Sequence, residues 1–189
     1  MRRQHLAGGK REAPNASLRQ RIEAIDSLLV REYDEPDRWN EDPFDSLIAT
    51  ILSQNTNDRN SEAAYDAMRE AFPAWQDVMN AEPAALEAAL RPGGLARTKA
   101  RRIQELLRGF ADRGGFSLAY LEELLPEDAE KELLKLNGVG RKTARCVLLF
   151  AMHMDIFPID THIERVLKRL CIVPDCMPVE KAHAYVDAH

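Results

Sequence analysis

In its C-terminal half the chain reads Asn137-Gly138-Val139-Gly140 between two segments whose apolar residues recur at helical spacing, about 127–136 and 141–152. Two glycines separated by one apolar residue suit a tight reversal whose backbone takes positive φ or lies close against another molecule. The stretch is therefore predicted as two helices joined by a hairpin. The N–H groups that open the second helix, together with its dipole, make the Gly138 to Lys142 corner an anion site, and Arg141 and Lys142 add formal charge. A phosphate fits such a corner. A plain αα-hairpin, which needs glycine only to turn, fits the same spacing.

The remainder of the 189 residues can bury one core or two small ones. Hydrophobic residues at 45% and charged residues at 30% are ordinary for a globular chain, and no apolar run approaches the length of a membrane span. A net charge of -5 argues against a uniformly basic nucleic-acid binder, so charge must be read locally. Residues 1–21 carry Arg2, Arg3, Lys10, Arg11, Arg19 and Arg21 against Glu12 alone, and residues 1–16 are expected to be a disordered basic arm. That arm leaves organelle targeting open, and it lacks the apolar segment of a secretory signal. Three cysteines, Cys146, Cys171 and Cys176, form no strong metal spacing and read as reduced intracellular thiols. Cys146 fits a small core residue.

Taken in order, Ser17 caps a first helix to about Tyr33 in which apolar Leu18, Ile22, Ile25, Leu28 and Leu29 recur at helical spacing. Asp42-Pro43 starts a buried second helix, and Asn57 caps a third after the polar run Ser53-Gln54-Asn55-Thr56. Short helices are expected at about 75–80 and 83–90, then a break at Pro92-Gly93-Gly94-Leu95. A longer helix follows over Arg97–Phe110, with Arg97, Lys99, Arg101, Arg102 and Arg108 on its outer face. Helices at 117–124 and 127–136 precede the hairpin. Beyond Pro158, Thr161-His162-Ile163-Glu164 fits a capping box for a helix to about Leu170, and a last helix begins near Pro178. No segment alternates like a strand. The fold class is all-α, with roughly ten helices.

Lys142 and Asp160 are the residues whose setting permits covalent chemistry. A lysine at a phosphate-attracting turn can act as a nucleophile once neutral, or simply pair with the phosphate. Asp160, after the apolar Ile156-Phe157-Pro158-Ile159, can stabilise a developing cation or accept a proton. It can equally be the N-cap of the next helix. His153 and His162 read as structural.

Leu136-Asn137-Gly138-Val139-Gly140-Arg141-Lys142-Thr143-Ala144, with Ile159-Asp160-Thr161-His162, resembles the endonuclease III branch of the helix-hairpin-helix DNA glycosylases. Leu52-Ser53-Gln54-Asn55-Thr56-Asn57-Asp58 and Gly94-Leu95-Ala96-Arg97-Thr98-Lys99-Ala100 resemble that family's other DNA-facing loops, in the same order. The likeness runs over about 17–189. It implies a two-lobed fold: a six-helix barrel at about 44–154, with the helix-hairpin-helix at about 127–152, and a second, incomplete lobe from 17–43 and 155–189.

The function implied is base-excision DNA repair. A damaged pyrimidine is flipped from the duplex, Lys142 attacks the sugar C1′, and the Schiff base permits β-elimination, with Asp160 as the essential carboxylate. Gly138, Val139, Gly140, Arg141 and Thr143 would hold the DNA backbone, Leu95 would be the wedge, and Gln54 and Asn55 would face the gap left by the flipped base. The family usually has glutamine where Asn55 stands and proline where Asn137 stands. Most members also carry four cysteines ligating a [4Fe-4S] cluster; those ligands are absent here, so no cofactor is expected in this chain and a cluster is expected only in a longer form. The chain reads as a fragment ending before that region. The implied partner is double-stranded DNA bearing damaged bases or abasic sites, bound by an intracellular, nucleoid-associated monomer with no membrane. A monofunctional glycosylase and a non-catalytic DNA-binding module are the alternatives.

Overall fold

The computed structural model describes residues 17–36 and 40–188, and the basic arm expected at 1–16 lies outside them. Among the described residues there are helices and turns and no strand. The helices are α1 (Leu18–Tyr33), α2 (Pro43–Ser53), α3 (Asp58–Ala71), α4 (Trp75–Asn80), α5 (Pro83–Ala89), α6 (Ala96–Ala111), α7 (Pro126–Leu134), α8 (Arg141–Cys146), α9 (Thr161–Arg169) and α10 (Val179–Asp187). The chain forms two compact units, one of Arg38–Pro158 and one from the described parts of Met1–Asp37 and Ile159–His189.

In the Arg38–Pro158 unit, α2 is central because one wide face of it is apolar: Phe44, Leu47, Ile48, Ile51 and Leu52 are all buried. Each such side chain contributes about 1.5–3 kcal/mol by leaving water. The helix starts where the sequence says it should, with Pro43 in its first turn and Asp42 Oδ1 accepting from the N–H of Phe44 at 2.9 Å and of Asp45 at 3.1 Å. Phe44 packs edge-on against Trp75 and Phe110, at 5.5 and 4.9 Å between ring centres. Helix α6 lies in the same core through Ala100, Ile103, Leu106, Leu107 and Phe110.

The helix expected at 117–124 is reduced to a 3-10 turn, Ala119–Leu121. Leu118 and Leu121 still reach the core. Leu125, which precedes Pro126, is extended (φ -66°, ψ 150°) and separates this turn from α7. After α8 the coil widens to a π-helical turn over Val147–Ala151, with the Met152 N–H donating to the Val147 carbonyl at 3.2 Å.

The second unit is smaller in its core: Ile159, Leu167, Ile172, Val173 and Ala182, joined by partly buried Leu18, Ile22 and Ile25. Ser17 and Gln20 form a reciprocal capping box, Ser17 N–H to Gln20 Oε1 at 2.9 Å and Gln20 N–H to Ser17 Oγ at 3.3 Å. Leu28 and Leu29 are half exposed, and Tyr33 is 76% exposed, because the small core engages only the first half of α1. The Arg21 guanidinium donates to the Leu170 carbonyl, tying α1 to the end of α9.

Candidate active site

The Asn137–Gly140 hairpin joins α7 to α8. Gly138 has φ +84°, a backbone that favours glycine, and a Cβ there would stand 3.3 Å from Arg102 Cδ, so the arginine side chain would have to give way. Val139 is buried, anchoring the hairpin in the core, while Gly140 is exposed and forms the N-cap of α8. Arg141 and Lys142 follow in the exposed first turn, and Thr143 turns inward.

The Gln54 side chain belongs to this hairpin. Its Nε2 donates to the Gly138 carbonyl at 3.4 Å and to Thr143 Oγ1 at 3.2 Å, and its Oε1 accepts from Arg102 Nη1 at 3.4 Å. Gln54 thus braces the turn across 84 residues of sequence. Asn55 differs: it is exposed and sits in the left-handed region at φ +55°. Leu95 is alike, with φ +48° and 57% exposure.

A buried ion pair fixes α8 from below. Arg145 is only 3% exposed; its Nε and Nη2 donate to Glu130 Oε1 and Oε2, each at 3.0 Å, and its Nη1 donates to the Phe157 carbonyl at 3.0 Å. This fork-to-fork geometry is the form in which a buried pair is well satisfied. Glu130 also meets Arg141 Nε at 3.1 Å, so Arg141 is partly committed to the protein.

Lys99 overturns its sequence assignment to the basic outer face. It is 3% exposed, and its ammonium donates to the Leu52 carbonyl at 2.6 Å and the Gly93 carbonyl at 2.7 Å. Burial pushes the group below the ordinary lysine range. The signal was present: positions 99, 103, 106 and 110 fall on one helical stripe, but three of the four are apolar and the lysine reads as an edge residue. Glu130 and Arg145 were missed because nothing in the local pattern distinguishes a buried charge from an exposed one; Arg102, read as part of the outer face, is half-buried beside Gln54.

In the other unit, Asp160 is the N-cap of α9. Its Oδ1 accepts from the N–H of His162 at 2.9 Å and of Ile163 at 2.8 Å, which places the cap one residue before the capping box expected at Thr161. The preceding residue is fixed by His183, buried on α10. The Ile159 N–H can only donate, so His183 Nε2 accepts it, at 3.2 Å, and the ring proton sits on Nδ1, donated to the Val179 carbonyl at 3.0 Å.

Among the described residues no group of three or more His, Cys, Asp or Glu is placed to hold a metal. The chain's three cysteines cannot furnish the four thiolates of a [4Fe-4S] cluster. No described helix is long and apolar enough to cross a membrane.

Residues 48–186 match the HhH-GPD superfamily of base excision DNA repair proteins. The chain belongs to this family. It is 39% identical over 148 residues to an Arabidopsis thaliana protein provisionally named a DNA glycosylase, covering 78% of this chain and 50% of that one. It is 37% identical over 143 residues to endonuclease III of Thermotoga maritima, covering 76% and 63%. The chain thus spans only half to somewhat under two thirds of the length of these relatives. Among solved structures, a trapped endonuclease III–DNA covalent intermediate with an estranged adenine superposes with TM-score 0.71 at 29% identity, over 90% of this chain and 77% of that one. The all-helical HhH-GPD fold and the endonuclease III resemblance are both borne out.

Proposed function

We propose that this chain is the catalytic portion of a bifunctional DNA glycosylase and abasic-site lyase that acts on damaged pyrimidines in double-stranded DNA. The observation that carries the reading is the exposed Lys142, two residues past the end of a hairpin whose glycine, buried valine and Gln54 brace give it a fixed shape. Family membership supports the same reading. The units Arg38–Pro158 and Met1–Asp37 with Ile159–His189 are proposed as the barrel lobe and the second lobe of such an enzyme.

In this reading the hairpin backbone at Gly138, Val139 and Gly140, with Arg141 and Thr143, holds the DNA backbone, and Asn55 and Leu95 enter the duplex. Gln54 acts through the hairpin. The neutral Lys142 amine attacks C1′ of the flipped nucleotide; the C1′–N bond breaks and the base leaves with the electron pair. The ammonium so formed gives a proton to the departing base, and the freed nitrogen lone pair breaks the C1′–O4′ bond, opening the sugar to a protonated Schiff base as O4′ takes a proton from water. Loss of a C2′ proton expels the 3′ phosphate by β-elimination. Asp160 supplies negative charge to the cationic intermediate.

The test is borohydride trapping on abasic-site duplex DNA. The wild-type chain is expected to form a covalent adduct and Lys142→Ala none. An undiminished adduct with Lys142→Ala overturns the assignment. Strand cleavage without added base distinguishes the bifunctional enzyme from a monofunctional glycosylase, and equal affinity for intact and abasic DNA without turnover would make the chain a binding module.

A further inference from the structure

Two loops of the Arg38–Pro158 unit end in exposed residues held in the left-handed region, Asn55 at φ +55° and Leu95 at φ +48°. Such a conformation costs a non-glycine residue free energy and persists only when its surroundings over-determine it. One atom touches both loops. Lys99 Nζ holds the carbonyl of Leu52, three residues before Asn55, at 2.6 Å, and the carbonyl of Gly93, two residues before Leu95, at 2.7 Å.

Both ends of this bridge have a local reason. Leu52 lies in the last turn of α2, and the N–H that would have continued the helix to it, that of Thr56, is turned to the Ser53 carbonyl at 3.4 Å. The Leu52 carbonyl is therefore an orphan of the helix end, where a cation also complements the dipole. Gly93 closes a 3-10 turn, Arg91–Gly93, packed so closely that a Cβ on it would stand 3.0 Å from Ala64 Cβ. An aliphatic side chain could fill the place of Lys99 with less desolvation, but it could not fasten two carbonyls to one point.

We propose that Lys99 is a positioning residue that fixes the separation and backbone conformation of the Asn55 and Leu95 loop tips, and through them the opening of the DNA duplex. This rests on the reading of the chain as a DNA glycosylase. Lys99 touches neither substrate nor Lys142 in this role; it lets two side chains enter the base stack together, a step that unpaired DNA does not need.

The experiment compares abasic duplex with abasic single-stranded DNA for the wild type, Lys99→Met and Lys99→Arg. It reads borohydride trapping, and separately the fluorescence of 2-aminopurine placed opposite a stable abasic analogue in duplex DNA. Lys99→Met is expected to trap single-stranded DNA as the wild type does, and to lose on the order of 10- to 100-fold on duplex, the size of effect a displacement of about 1 Å produces. The 2-aminopurine signal should fall with it, and Lys99→Arg, which keeps charge and donors, should recover part of both. Equal losses on the two substrates mean a merely structural lysine and overturn the proposal, as does an unchanged duplex rate. If circular dichroism shows Lys99→Met unfolded, Gly93→Ala decides: it pushes the second loop off Ala64 with the ammonium intact and should give the same duplex-selective loss. A wild-type chain that gives no adduct on either substrate refutes the enzyme reading alone. The proposal then stands or falls on whether the wild type destacks 2-aminopurine and Lys99→Met does not.

Discussion

The two proposed catalytic residues are held by opposite means. Lys142 stands on a helix braced by side chains from distant parts of the chain, the Glu130–Arg145 pair below it and Gln54 beside its hairpin. Asp160 stands at a helix start held by backbone groups, with the His162 and Ile163 N–H groups on its carboxylate and His183 on the N–H of Ile159. The first arrangement draws on a large core running from Phe44 to Ile156, the second on five buried apolar residues among those described. A short-range cap needs little core to support it. A buried ion pair needs the packing around it to exclude water and hold both forks in register.

The comparison breaks most sharply at Glu130. Glu130→Ala leaves the Arg145 guanidinium buried without its carboxylate, and the expected loss is about 3–5 kcal/mol of unfolding free energy by urea titration. The double change Glu130→Leu with Arg145→Met should cost much less than the single change. A cost below about 1 kcal/mol for Glu130→Ala would show that the pair does not hold α8, against the about 3 kcal/mol or more that an uncompensated buried charge carries.

At His183 the expected effect is smaller. His183→Ala removes the acceptor of the Ile159 N–H and should cost about 1–3 kcal/mol, the penalty of an unsatisfied buried donor. Hydrogen exchange should then quicken in α9 and α10 and stay unchanged in α2 and α6. Uniform quickening would mean that the two units do not unfold separately.

Asp160 gives the smallest change in stability and sharpens the contrast between cap and catalyst. Asp160→Asn keeps an oxygen for the two N–H groups and should melt within a few degrees of the wild type, whereas Asp160→Ala should lose about 1 kcal/mol. If the carboxylate matters only as a cap, Asp160→Asn retains glycosylase and trapping activity. If it acts on the developing cation, both variants lose activity alike.

What could be read without coordinates were the interactions that close within a few residues. Ser17 as a cap, Asp42 before Pro43, Asn57 and the Gly138 turn were legible because a cap or turn is a local competition for backbone N–H groups, settled by residues two to three apart. Asp160 was legible twice over, as a cap and as a carboxylate, and its sequence could not choose between them. The 117–124 segment reads as a full helix from its apolar spacing, but Leu118 and Leu121 are its buried residues, and a 3-10 turn, in which positions three apart share a face, places both.

By itself, then, the sequence determined that the chain is helical, where most helices begin, and that a glycine hairpin is followed by Arg141 and Lys142. Only the tertiary structure decided that Lys99 is inside, bridging carbonyls 47 and 6 residues away, that Gln54 serves the hairpin 84 residues on, and that Arg145 finds Glu130. The physical reason is that a charged or amide side chain is buried when the fold brings it a partner to satisfy it. That partner is set by packing, and no periodicity along the chain records it.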